Sequence, residues 1–113
     1  MREIKAIIQP FMLQHVLDAL ATIEGLPGVT VSEVLGWGKS RAANVQHPVR
    51  ESGHAFARKC KVESVVPDIL IDQVVEAVVR AARTGKPGDG KVFVHELDDA
   101  VKIRSGERGE AAI

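Results

Sequence analysis

Apolar residues recur along this chain with two different periods, and the periods divide it into elements. In residues 11–24, Leu13, Val16, Leu17, Leu20 and Ile23 fall three or four positions apart, with Pro10 at the entrance and Gly25 at the exit. That spacing predicts an amphipathic helix with one buried stripe. A second helix is predicted in PDILIDQVVEAVVRAAR. Pro67 and Asp68 open it, and Leu70, Ile71, Val74, Val75 and Val78 form its stripe. Arg80 and Arg83 lie near its C-terminal end, where cations suit the helix dipole. Elsewhere the apolar runs are short and β-branched. EIKAIIQ (residues 3–9) reads as a strand ended by Pro10, and a strand over about 29–35 follows the turn at Pro27 and Gly28. KCKVESVV alternates: Cys60, Val62, Ser64 and Val66 share one face, while Lys59, Lys61, Glu63 and Val65 share the other. KVFVHEL is the last main strand, and VKIR a short apolar-basic one.

The order β-α-β-β-α-β, with one short strand added, predicts an α+β fold of the ferredoxin-like type. In it, two helices cover one face of an antiparallel sheet. The runs AII, SVV and VFV break strict alternation and imply burial on both faces. Two helices cover only one side, so the second face is expected to meet other subunits. Between the middle strands lies GKSRAANVQHPVRESGHAFAR, too long for a hairpin turn and without sustained periodicity. Loops of that length inside a small domain are functional or disordered segments. It carries Lys39, Arg41, Arg50 and Arg58, together with His47 and His54.

A chain of 113 residues supports a single domain. Lys+Arg and Asp+Glu balance at 15 each, which gives no footprint for nucleic acid or an acidic membrane surface. No stretch approaches the ~18 apolar residues that span a bilayer, and the N-terminal run is broken by Lys5 and Pro10, unlike a signal peptide. The single cysteine, Cys60, allows no internal disulfide and fits a reducing cytoplasm.

Candidate chemistry centres on TGKPGDGKVFV, residues 84–94. Closely spaced glycines permit positive φ and close backbone approach, and Lys86 and Lys91 suit an anion. A plain helix-to-strand turn would use the same residues. GKPGDGK fits the first seven positions of a P-loop, yet Val92 stands where Ser or Thr must bind magnesium. The order is also reversed, helix to strand instead of strand to helix, so no helix N-terminus faces the phosphate. A different cradle remains open: backbone N–H groups of the turn, Lys91 as a point charge, and Lys102 with Arg104 on one face of VKIR.

TGKPGDGKVFV closely resembles the C-terminal signature of the nitrogen-regulatory PII signal-transduction proteins. The resemblance also runs through IKAIIQPFMLQHVLDAL, GVTVSEVLGWG, KVESVVPD and IRSGERGEAAI, in the right order. It implies one PII-like domain over 1–113, with a T-loop at about 38–58, a B-loop at about 84–91 and a C-terminal segment at about 100–113. It further implies a homotrimer that binds ATP or ADP in clefts between neighbours, with magnesium as a companion ion left open. The resemblance assigns the phosphates to Gly88, Asp89, Gly90 and Lys91, and to Lys102 and Arg104 of the adjacent subunit. Gly28, Thr30, Gly36, Gly38 and Lys39 would complete the cleft, with Glu63 and Val65 near the adenosine. Lys39 and Lys102 each replace a usual arginine, which keeps the charge and loses the planar fork.

The long loop departs from the family. The chain contains no tyrosine, so tyrosine uridylylation is excluded; Ser52 stands near that position. Ser40 replaces the glutamine that helps typical members hold magnesium and 2-oxoglutarate, while Lys59 matches the lysine that pairs with that metabolite's distal carboxylate. Half of the effector site survives, which argues against ordinary 2-oxoglutarate sensing and leaves bicarbonate or another small anion open. His47, His54 and Cys60 match no compact zinc spacing; a link to metal homeostasis stays as an alternative.

The reading is a non-catalytic switch in which nucleotide and effector set the loop, and the loop binds a membrane transporter or a metabolic enzyme. A small ATPase is the rival, and it lacks paired carboxylates or an oriented base. A scaffold indifferent to ligands is the third reading.

Overall fold

In β1 (Arg2–Ile8), Ile4, Ala6 and Ile8 are buried and their neighbours half-exposed, the period of two that a sheet with one covered face requires. The structure, a computed structural model, describes residues 1–38, 49–51 and 53–113. After β1 come a 3-10 turn at Pro10–Met12 and α1 (Leu13–Ala21). Next are β2 (Thr30–Gly36), β3 (Val49–Glu51) and β4 (His54–Val66). A 3-10 turn at Asp68–Leu70 leads into α2 (Ile71–Ala82), and β5 (Gly90–Glu96) completes the sheet. The order across the sheet is β2–β4–β1–β5, antiparallel throughout, with β3 paired to β4 alone. This is the ferredoxin-like arrangement that the periodicity predicts.

Both helices open where proline holds the approach extended. Gln9, before Pro10, sits at φ −68°, ψ 137°, and Pro67 at φ −60°, ψ 150°. Val16, Leu20 and Ile23 from the first helical segment pack with Ile71, Val74, Val78 and Ala82 of α2 onto Ile4, Ala6, Ile8, Cys60, Val62 and Val66. Each fully buried branched side chain contributes about 1.5–3 kcal/mol. Leu13, Leu70 and Val75, expected in the stripes, are only partly buried at the edge of this core.

Two expectations are corrected. First, β4 starts at His54, five residues before the alternating stretch, so the C-terminal part of the predicted long loop is a hairpin with β3 (Val49↔Phe56, Glu51↔His54). Cross-strand pairing, which no local periodicity reveals, extends the strand. Second, VKIR is no strand. Val101 makes one bridge to Arg108, closing a turn in which the Lys102 N–H donates to the Glu107 carbonyl (2.9 Å) and the Gly106 N–H to the Lys102 carbonyl (2.7 Å). Gly106 at φ 77° reverses the chain there, so Lys102 and Arg104 do not share a strand face.

The uncovered face of the sheet mixes charged and apolar side chains. Residues directly opposite in the register share a face, so Glu3, Lys5 and Ile7 lie with Lys59, Lys61, Glu63 and Val65. Lys91, Phe93 and His95 of β5 and Thr30, Ser32 and Val34 of β2 extend the same face. The apolar runs contribute only Ile7, Val65 and Phe93 to it; their remaining residues belong to the helix side.

Candidate functional site

The turn from α2 to β5 is braced from within. Asp89 accepts hydrogen bonds from the Thr84 N–H (2.8 Å), the Gly85 N–H (2.9 Å) and the Thr84 hydroxyl. The Thr84 hydroxyl bond, followed by the backbone bonds, holds the Asp89 carboxyl below the usual carboxylate range. Asp89 therefore spends its oxygens on the shape of the loop. Gly90 sets the closest approach: at φ 108°, a Cβ there would lie 1.7 Å from the Ile7 carbonyl oxygen. Glycine is the one residue that lets the loop's end pair with Ile8.

Lys59 crosses to this loop from β4. Its Nζ donates to the Gly88 carbonyl at 2.8 Å. Its stem runs over Gly36, where a Cβ would come within 3.4 Å of Lys59 Cγ. The Gln9 amide crowds the same side of Gly88, 3.0 Å from the position a Cβ there would take, with Lys59 Nζ at 3.7 Å. Burial lowers the Lys59 ammonium's pKa, and the Asp89 carboxylate partly opposes that. Lys91 leaves β5 on the uncovered face opposite Ile7. Gly36, Gly38, Lys59, Gly88, Asp89, Gly90 and Lys91 thus belong to the Ile8 end of the sheet.

The remaining predicted residues belong to the Arg2 end. Gly28, Thr30, Glu63 and Val65 line a shallow cavity of about 190 Å³ together with Glu3 and Ser64. Ser64, only 6% exposed, donates to the Gly28 carbonyl at 2.5 Å and ties the turn before β2 to β4. Glu63 pairs with Lys61 (3.5 Å) and Glu3 with His95 (3.1 Å) at the rim. Sequence reasoning missed Glu3 and Ser64. Ser64 looked like a core-face residue, and Glu3 becomes visible only through its pairing with Val65.

The C-terminal segment stands at this end as well, since Glu96 pairs with Arg2 and the Glu110 carboxylate lies 3.9 Å from the Met1 amine. There Lys102 pairs with Glu107 at 3.8 Å. Strands rise about 3.4 Å per residue, so the seven residues of β1 separate the two ends by about 20 Å. The structure gathers the predicted residues into two groups, not one. Within one chain Lys91 and Lys102 therefore fall in different groups.

Lys39, Ser40, His47 and Ser52 lie outside the described residues. His54 meets Trp37 edge-on, ring centroids 5.5 Å apart, at the base of the long loop. Cys60 is buried, and that burial raises its thiol pKa. Among the described residues no cluster of three or more His, Cys, Asp or Glu could hold a metal, and no helix is long and apolar enough to cross a membrane. A larger recess of about 650 Å³ between α2 and β5, floored by Val75, Val79 and Val94, contains none of the predicted site residues.

Comparison with known proteins gives concordant matches. The family described as Nitrogen regulatory protein P-II matches residues 1–107. The Nitrogen regulatory protein P-II of Haemophilus influenzae is 43% identical over 113 residues, covering all of both chains. Nitrogen regulatory protein P-II 1 of Escherichia coli K12 shows the same identity and coverage. Among solved structures, Arabidopsis thaliana PII bound to citrate superposes with a TM-score of 0.79 at 38% identity, over 99% of this chain and 91% of that one.

Proposed function

Because the chain belongs to the nitrogen regulatory protein P-II family, we propose that it is a non-catalytic regulator that binds ATP or ADP between copies of itself. The observation that carries this reading is the separation of the two half-sites. The Gly88–Lys91 loop stands at one end of the uncovered face, and the Gly28–Thr30–Glu63–Val65 cavity with the basic C-terminal turn stands at the other. Packing the loop end of one copy against the cavity end of the next is a head-to-tail contact, which closes into a ring when the rotation allows. A ring of three is the assembly expected of this family. The mixed polar face, with Ile7, Val65 and Phe93 among charges, would then be an interface between subunits.

In each cleft the glycine turn would offer backbone N–H groups and Lys91 a charge, while the neighbour's Lys102 and Arg104 close over the phosphates. Its Glu63 and Thr30 would accept hydrogen bonds from the ribose or base. Magnesium would enter only as a companion of the phosphates. Lys59 remains the candidate for a small anionic effector. The plant relative described with bound citrate supports a carboxylate, and Ser40 argues against ordinary 2-oxoglutarate sensing. The loop at about 38–58 would carry the signal to a transporter or metabolic enzyme in the cytoplasm. Hydrolysis as the purpose is disfavoured, since the Asp89 carboxylate is consumed by its own turn.

Calorimetry with mixed variants tests this reading. Lys91→Ala and Arg104→Ala should each weaken ATP binding by about 1.5–3 kcal/mol, the range for a charge-assisted contact. Co-assembled subunits of the two variants should regain a fraction of tight sites, because some clefts then hold both cations. No regain, or a monomer in sedimentation, would refute shared clefts. Rapid phosphate release from ATP would favour an enzyme.

A further inference from the structure

Gly36 ends β2 at the base of the long loop, and Gly88 lies in the phosphate-side turn, some fifty residues later in the chain. One side chain runs between them. The Lys59 stem passes beside Gly36, close enough that a Cβ there would lie 3.4 Å from its Cγ, and its ammonium bonds the Gly88 carbonyl at 2.8 Å. We infer that Lys59 is a strut that positions the phosphate-binding turn and carries its displacement to the base of the long loop, with no effector required. This rests on the nucleotide reading above.

The argument is geometric. Gly88 has φ 95° and Gly90 φ 108°, so the peptides of this turn are held in orientations that only glycine adopts readily. Asp89 fixes the turn at its start through Thr84 and Gly85. Lys59 fixes it in the middle, from outside, through the Gly88 carbonyl. A bound phosphate that draws the turn's N–H groups toward itself rotates the Gly88 peptide, and the carbonyl must take the ammonium with it or release it. The lysine stem passes beside Gly36, where a Cβ would come within 3.4 Å of its Cγ, and the Gln9 amide crowds the same flank of Gly88 as the ammonium. Motion of the stem therefore reaches Gly36 and the residue after it, Trp37. That residue is the chain's single tryptophan and stacks edge-on to His54. A link of this kind biases a loop only if the nucleotide contacts differ between its two states, and the Gly88–Lys59 bond is a contact that can be present in one and absent in the other.

The test titrates ATP into the wild-type assembly, Lys59→Met and Lys59→Arg, recording heat and Trp37 emission to saturation. The wild type should show a saturable emission change. Lys59→Met should bind ATP about tenfold more weakly, the effect of one lost charge-assisted hydrogen bond, and show no emission change even when saturated. Lys59→Arg, which keeps a donor for the Gly88 carbonyl, should recover most of the change. A full emission change in saturated Lys59→Met, or wild-type binding with none, overturns the strut. Absence of any ATP heat in the wild type overturns the nucleotide reading itself, a distinguishable failure. Hydrogen exchange on the wild type gives a readout independent of variant stability: ATP should alter exchange at residues 35–37 together with 86–91. Protection confined to the turn would refute the inference.

Discussion

Three glycines in one turn allow two costs of a methyl group to be measured separately. Gly85 has φ 85° and open space where a Cβ would go, so Gly85→Ala carries only the positive-φ penalty of about 1–2 kcal/mol. Gly88 has φ 95°, and its Cβ would meet the Gln9 amide at 3.0 Å and Lys59 Nζ at 3.7 Å. Both are ends of flexible side chains that can withdraw, so Gly88→Ala should cost slightly more than Gly85→Ala. Gly90 differs in kind. Its Cβ would sit 1.7 Å from the Ile7 oxygen and 2.8 Å from the Ile7 carbonyl carbon, both backbone atoms of the central strand. Ile7 cannot yield without disturbing its own pairing with Lys61 on the other side. The first rungs of the β1–β5 ladder, Ile8↔Gly90 and Ile7↔Lys91, must open instead. Adding one or two lost backbone bonds of about 1 kcal/mol each to the φ penalty and residual overlap gives about 3–5 kcal/mol. Thermal melts at one fixed protein concentration read this directly, since an assembling protein's midpoint depends on concentration. At about 4 °C per kcal/mol for a domain this size, Gly85→Ala should melt ~4–8 °C below wild type and Gly90→Ala ~12–20 °C below. Equal midpoints for the two variants would refute the reasoning, because φ strain alone would then account for both.

Other outcomes follow from named contacts. The Asp89 carboxyl titrates below its unfolded value, so its brace is complete above the unfolded carboxylate range and is lost as pH falls through the lowered folded pKa. Exchange of the Thr84 and Gly85 amides should accelerate over that acid window in wild type, whereas Asp89→Asn should show fast exchange already at neutral pH. Ser64→Ala leaves the Gly28 carbonyl without its buried donor, and should cost about 1–2 kcal/mol in urea unfolding while weakening adenosine as well as ATP. Equal adenosine affinity would detach the 190 Å³ cavity from the nucleoside. Asp68 pairs with the Met1 amine at 2.9 Å, and that bond lowers its carboxyl pKa. Asp68→Asn should therefore lower stability slightly near neutrality, and the difference from wild type should vanish as pH falls through the lowered Asp68 pKa, which unfolding curves at several pH values would measure.

The sequence by itself determined the two helices, the strand order and the family. Those follow from local rules: a period of three to four in residues 11–24 and 67–83, a period of two in 59–66, and the turn residues between them. It also marked the glycine turn before β5, because a glycine that alone readily occupies φ 108° is needed whatever surrounds it. Tertiary structure decided what depends on partners far along the chain. The hairpin of β3 with β4 exists through cross-strand bonds, so residues 54–58 showed no pattern of their own. VKIR has strand-like residues, but its one bridge is to Arg108 across its own reversal, and it became a turn. Glu3 enters the cavity only because β1 lies beside β4 in one particular register. Lys59 reads in the sequence as one more alternating polar residue; the sheet carries it over Gly36 and onto Gly88, and a contact between segments that far apart is set by packing and not by local spacing.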